Sequence, residues 1–349
     1  MIATTYPHIT ATQDFTRKQI AITFFVPKAD GSFDSFTVGQ GHAIQAIIKH
    51  AGFTTGSEAE VSIKGLSHKD RDSLSIIPDH PTLDNLNTTT AGQTVITIQA
   101  GDEGTPLTHL FTGTIDRAYT DYDDLDIPFH VHAMTSTILA SILPQAKGYD
   151  GPQNVTTLLA DICREAGFQL LDHGGWERHT SLTNHYRWGT ALDQIQTILK
   201  ATKGIFSFSP FIPVKGENER TTIASNQKAI PYKGLLEIWG PTFTGLPQDG
   251  QEQTVPVISA ETGMIGYPRY SNSGISLTTL LQPDITFWHP LMLDSAYLPV
   301  SSSETTMTGI PPWNGLWLTT FVWHDISTET PHGPWHTHMD CIRTTLGRR

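Results

Sequence analysis

The sequence predicts a mainly β, α+β protein: two β-barrel-like tube domains with a small α/β insert between them. Three observations carry this expectation. Only 16% of the 349 residues are charged and 38% are apolar, against roughly 25% charged in an average globular domain, so neutral polar residues, threonine and serine foremost, fill much of the surface. Threonine is β-branched and suits a half-buried pleated sheet. The 29 Gly and 22 Pro supply the turns that many short strands need, and the strongest helical stripes sit in the middle of the chain.

Taken in order, Ile20–Val26 is apolar and β-prone, residues 29–32 read Ala-Asp-Gly-Ser, and Phe33–Val38 returns as the second arm of a hairpin. Ile44, Ile47, Ile48 and Ala51 are spaced i, i+3, i+4, i+7 with Gly52 behind them, which predicts a short amphipathic helix with Gly52 at C′. Ala59–Ile63, Thr94–Ala100, Leu107–Ile115 and Phe129–Ala133 are strand candidates, and their alternation predicts a sheet with one buried face. Val155, Leu158, Leu159, Ile162, Cys163 and Ala166 form a full helical stripe with Asn154 as N-cap and Gly167 as C′. Leu192, Ile195, Ile198 and Leu199 mark a second helix, with Lys200 and Lys203 near its end and Gly204 stopping it. Phe168–Leu171 and Ile205–Phe208 follow these helices as β-like segments.

Strand patterns resume at Thr221–Ala224, Leu235–Trp239, Val255–Ile258, Ile275–Leu281, Pro290–Leu293, Trp317–Trp323 and Trp335–Ile342. This divides the chain into a first barrel-like domain over 1–145, the insert over 146–209 and a second barrel-like domain over 210–349, with strands open to exchange between the barrels. No fixed-period repeat argues for a solenoid or propeller.

A formal charge of −12 argues against a surface that grips DNA, which needs clustered Lys and Arg. Two cysteines, Cys163 and Cys341, make no disulfide framework and predict folding in a reducing cytoplasm. Neither a signal peptide nor a membrane-spanning run is predicted.

Catalytic and metal chemistry finds few footholds. His130 with His132 and His336 with His338 are His-x-His pairs whose alternation puts each pair on one strand face, but third and fourth ligands are not evident, and no metal site or cofactor is expected. The run Asp121–Asp126 lacks the glycine and glutamate of a calcium loop and reads as a solvated turn. Ser225-Asn-Gln-Lys228 matches Ser-x-x-Lys, yet Pro231 follows too soon for a helix to present the lysine. No catalytic residues are assigned, and the chain is expected not to be an enzyme. Eight tryptophans exceed the needs of one core; Trp313, Trp335 and Pro312, beside Trp313, are the partner-interface candidates, because aromatic anchors concentrate in interfaces.

The order of local pieces resembles the phage baseplate hub family, the tail-tip proteins of contractile-tailed phages that include Mu-like and late-control-D-like hubs. The pieces are Ala59-Glu-Val-Ser-Ile-Lys-Gly-Leu66, Leu110-Phe-Thr-Gly-Thr-Ile115, the segment from Gly151-Pro-Gln-Asn-Val to Ala166-Gly-Phe168, Ser273-Gly-Ile-Ser-Leu through Leu281-Gln-Pro-Asp284, Val322-Trp-His-Asp-Ile326 and Gly333-Pro-Trp-His-Thr-His-Met-Asp-Cys341. Where many members have a glycine before a polar strand, this chain reads Pro283-Asp-Ile-Thr-Phe-Trp288-His289. The resemblance implies a structural virion protein: a homotrimer forming a pseudo-sixfold ring between the tail tube above and a central spike below. Wedge and sheath proteins would surround it, and DNA would pass through without specific binding. It implies synthesis in the bacterial host cytoplasm, residence in the virion baseplate and no membrane insertion by this chain. A ring of three would carry roughly −36, and passing DNA would not stick to such a wall. Two other readings compete: a carbohydrate-binding or carbohydrate-active β-sandwich tail protein, and a metal-dependent hydrolase built on the His-x-His strands.

Overall fold

The computed structural model describes residues 16–27, 33–52, 56–75, 94–176, 180–211, 233–245, 255–271, 274–296 and 313–343. The first part runs β1 (Lys18–Pro27), β2 (Phe33–Val38), β3 (Ala43–His50), β4 (Glu58–Lys64), α1 (His68–Leu74), β5 (Val95–Asp102), β6 (Thr108–Thr120) and β7 (Phe129–Met134). The middle holds α2 (Ser136–Ser141), β8 (Lys147–Gly148), β9 (Pro152–Asn154), α3 (Val155–Ala166), β10 (Phe168–Asp172), β11 (Ser181–Thr183), β12 (Tyr186–Arg187), α4 (Ala191–Thr202), β13 (Ile205–Pro210) and β14 (Gly234–Trp239). The last part is β15 (Val257–Ile258), β16 (Arg269–Ser271), β17 (Gly274–Leu280), β18 (Pro290–Leu293), β19 (Gly315–Thr328) and β20 (Trp335–Arg343).

The fold is mainly β. One 13-stranded sheet links the first and last parts in the order β16-β17-β20-β19-β3-β4-β7-β6-β5-β1-β2, with β18 and β15 branching from β19. The long strand β19 is the hinge of this arrangement. Its start, Gly315–Leu318, pairs with β18, and its end, Val322–Thr328, pairs with β3 along the same edge. Between them the register against β20 shifts at Thr319/Phe321, and such a bulge bends a strand and increases its twist. One strand thereby serves two cores. Trp317 and Val322 pack with Ile275, Leu291 and Met339, whereas Ile326 packs with Ile20, Phe24, Ile48 and Phe129. Strand β1 also lies against β19, and the Arg17 guanidinium pairs with Glu329 just beyond it, so the first part of the sheet curls back on itself. Fully buried Phe24, Phe111 and Phe129 fill that curl, each contributing about 1.5–3 kcal/mol relative to exposure.

Residues 44–51 correct the sequence reading: 44–50 lie in β3, and Ala51 follows its end, with no helix there. Ile44, Ala46, Ile48 and His50 alternate as buried residues while Gln45, Ile47 and Lys49 face the other way. The i, i+4 pair Ile44/Ile48 satisfies a helical stripe and a strand face equally, and pairing to both β4 and β19 decides the matter. Gly52 is accordingly not a helix cap. A Cβ there would lie 2.2 Å from the Phe287 ring and 2.8 Å from the Phe206 carbonyl oxygen, so the absence of a side chain lets the exit of β3 touch both the middle and the last part of the chain.

The insert follows its sequence signals more closely. Helix α3 buries the expected stripe and ends on Gly167 in the left-handed region at φ 76°, although Asn154 makes no side-chain cap. Helix α4 opens with a Thr190/Asp193 capping box and ends on left-handed Lys203, not Gly204. Both helices pack on a three-stranded sheet ordered β10-β14-β13. Strand β14, which the sequence reading placed in the second barrel-like domain over 210–349, instead inserts between β10 and β13, parallel to the first and antiparallel to the second. The strand expected at Thr221–Ala224 and the Ser225–Lys228 motif lie outside the described residues.

Candidate assembly surface

Alternation along the shared sheet sorts its side chains onto two faces. One face is sealed by the cores. On the other, cross-strand register lines up Leu280, His336, Asp325, Ile47, Glu60, His132 and Arg117 in one row across β17, β20, β19, β3, β4, β7 and β6. A second row runs Thr278, His338, Trp323, Lys49, Glu58 and Met134. The result is a surface seven strands wide on which each strand carries a polar side chain, with Leu280, Ile47, Trp323 and Met134 set among them.

Its charges are held by neighbours across the strands. Lys49 reaches Glu58 at 2.8 Å and Glu60 at 3.1 Å, and these hydrogen bonds raise the lysine while the Lys49 contact lowers the Glu58 carboxyl. His132 bridges Asp116 at 3.3 Å and Glu58 at 3.7 Å. Trp323 stacks on His338 at 4.7 Å, and Thr278 meets His338 Nδ1 at 3.1 Å. Burial raises the Asp325 carboxyl, opposed by His338 and His336. Glu58, Glu60, Asp116, Asp325 and Asp340 outnumber Lys49, Lys64, Arg117 and Arg269 on this face by one, a small carboxylate excess at neutral pH. A shallow groove of about 220 Å³ crosses it between Gln45, Glu60, Arg117, Tyr119, His130 and His132.

Both His-x-His pairs thus share one face, but the strand order leaves β19, β3 and β4 between them, a separation of roughly 19 Å at about 4.8 Å per strand. His130 stacks on Tyr119 at 5.2 Å. Among the described residues no group of three or more His, Cys, Asp or Glu is placed to hold a metal ion. Asp121–Asp126 forms the β6–β7 turn, where Asp121 and Asp124 carboxylates accept amide hydrogens from Asp123 and Asp126, and Asp126 pairs with Lys64. Cys163 and Cys341 are free and buried, and burial pushes the Cys163 thiol up to about 12.

Of the interface candidates, Trp313 is half-buried and packs its ring 4.8 Å from Tyr270, while its carbonyl accepts the Trp317 indole N–H at 3.0 Å. Trp335 is half-buried against the first core with the Lys18 ammonium 5.9 Å from its ring. Pro312 lies outside the described residues. The departure at Pro283–His289 resolves into a turn in which Trp288 takes the left-handed φ of 59° that a glycine would adopt freely. Thr319 fastens it: its hydroxyl donates to the Thr286 carbonyl at 2.7 Å and accepts the His289 amide at 2.7 Å, and its backbone carbonyl accepts the Trp288 amide at 2.9 Å.

Sequence reading missed the charged members of the polar face, Lys49, Glu58, Glu60, Arg117 and Asp325, because cross-strand neighbours are invisible along the chain. It also missed the exposed Tyr186 and Trp188, 61% and 70% accessible, which flank the buried Arg187. Their i, i+2 spacing was the available signal.

No protein-family model matches the chain, and no curated protein matches it. Among solved structures, it is similar to an E. coli protein described as a component of the type VI secretion system with similarity to bacteriophage T4 tail proteins (TM-score 0.49, 9% identity, covering 87% of this chain and 74% of that one). It is also similar to a tail protein from Neisseria meningitidis (TM-score 0.48, 7% identity, 93% and 96% covered). A prophage tail protein from Shewanella oneidensis is similar at TM-score 0.48 and 10% identity, with 92% and 96% covered.

Proposed function

We propose that this chain is a structural subunit of a phage-type tail: a baseplate hub that works as a homotrimeric ring between tail tube and central spike, bordered by the wedge and sheath proteins. The observation that carries the reading is the shared sheet. One face is closed by packed cores and the other is polar across seven strands, which is the construction of a wall. In this reading the polar face borders the passage, and its excess of carboxylates keeps DNA from adhering. Sheet edges at β16 and β2 are where neighbouring chains would continue the wall, since paired edges in a closed ring leave none free. Trp313, Trp335 and Pro312 are proposed as partner contacts, and the three-part division of the chain, with β14 moved from the last part to the insert, is proposed as its domain plan.

Negative-stain microscopy of the purified chain, alone and with its tail-tube and spike partners, tests this. A threefold annulus is expected. A monomer that binds glycans, or that turns over a substrate and stops on chelation, would replace the hub with one of the competing readings.

A further inference from the structure

Among the described residues, the single ladder that joins the first part of the sheet to the closing hairpin is β3 against β19. Two histidines meet inside it. His324 has no solvent exposure and His50 only 8%, and their rings stand edge to face with centroids 5.2 Å apart. Nδ1 of His324 is 2.9 Å from the Thr337 hydroxyl, but Nε2 of His324 and Nε2 of His50 have no hydrogen-bond partner among the described residues. We propose that this pair is an acid-sensitive latch: both rings stay neutral while the seam is closed, and protonation loosens the β3–β19 ladder.

The physical reason is the absence of anything to receive a second proton. Whichever nitrogen carries the first proton, a second one makes a buried cation whose Nε2–H faces no acceptor, next to another imidazole. The titratable groups acting on the pair reinforce this. They are His109 from β6, acting on His50, and His338 from β20, acting on His324. Both are imidazoles that add positive charge on acidification. The carboxylates nearest in sequence, Glu58 opposite Lys49 and Asp325 on β19, belong to the outer face of the sheet. Burial, then the neighbouring imidazoles, hold both rings below the ordinary histidine range. The latch also sits where it has leverage, because Gly52, two residues past His50, is wedged between Phe287 and Phe206. Release of the seam would free the last part of the sheet from the first.

The inference goes beyond the ring and does not depend on it. Hydrogen exchange of the full chain, at about pH 7.5 and about pH 5 with intrinsic rates corrected, reads it directly. In the unsubstituted protein, amides of β3 and of Val322–Thr328 should lose protection by about tenfold or more at the lower pH, while β13 and β14 in the insert keep theirs. His324→Phe and His50→Phe, the latter sacrificing no hydrogen bond, should each shrink the selective loss, and the double variant should remove it. Uniform loss across sheet and insert, or selective loss undiminished in His50→Phe, would overturn the latch.

Discussion

The first part of the sheet and the insert reach stability by opposite routes. Strand β3 is held by β4 nearby and by β19, which pairs Gln45 with Ser327 and Ile44 with Thr328. The insert is stitched within itself: α3, α4 and their caps draw on neighbours within one short stretch, and only β14 arrives from outside. Long-range pairing ties the sheet to the integrity of the whole chain. Local contacts dominate the insert, and each prediction below attacks one side of that contrast.

The largest effect is expected from acid, and it should fall on the sheet. Burial holds His50 at about 4 in the fold, against 6.5 for a free imidazole. Between those values the unfolded chain binds the extra proton and the folded chain does not. Stability is therefore flat above about pH 6.5 and falls as the pH drops towards 4, by on the order of 3 kcal/mol for this residue alone. Denaturant titrations at a series of pH values should show that slope, and His50→Phe should remove the His50 share while the buried His324 keeps its own.

Next comes the insert's own buried charge. The Arg187 side chain is fully enclosed and pairs with Glu165, with the Gln194 side-chain oxygen at 2.7 Å and with the Tyr149 hydroxyl at 3.0 Å. Arg187→Ala strands those partners and should cost about 3 kcal/mol, the lower end of the range for a broken buried pair, because Glu165 is partly exposed. Hydrogen exchange should show the loss confined to α3, α4 and the ribbons around them. Equal loss in β3 and β4 would dissolve the contrast between the two regions.

Gly52→Ala probes the point where they meet. The added methyl has no room between the Phe287 ring and the Phe206 carbonyl, and a cost of about 2 kcal/mol is expected from overpacking, read as a lowered melting temperature. The smallest effect is Asp193→Ala, which removes half of the α4 capping box and should cost about 1 kcal/mol by chemical denaturation.

The same contrast explains what the amino-acid pattern disclosed. The stripes of α3 and α4, the glycine ending α3, and the hairpin of β1 and β2 are written in neighbouring residues, and they were legible. The misread stretch was β3, where Ile44, Ile47, Ile48 and Ala51 suit either period and the deciding partner, β19, is nearly the full chain away. The placement of β14 failed for the same reason, since nothing in Gly234–Trp239 names β10 as its parallel neighbour. The candidate surface was half visible: each His-x-His pair declared its own strand face, but only the register across β20, β19, β3, β4 and β7 shows that both lie on one face and too far apart to cooperate. Trp288 in a glycine's conformation is likewise intelligible only once Thr319 is seen holding the turn.

The polar wall can be tested where it is most exposed to its surroundings. Glu60 lies mid-face, and the two native thiols are buried, so Glu60→Cys introduces a reporter with little background. In assembled particles containing tube, spike and this chain, Cys at that position should react with a small maleimide and be shielded from a bulky polymer-linked one, because the face borders a confined passage. Equal reaction with both reagents in the assembled particle would put the face on the outside and contradict the account.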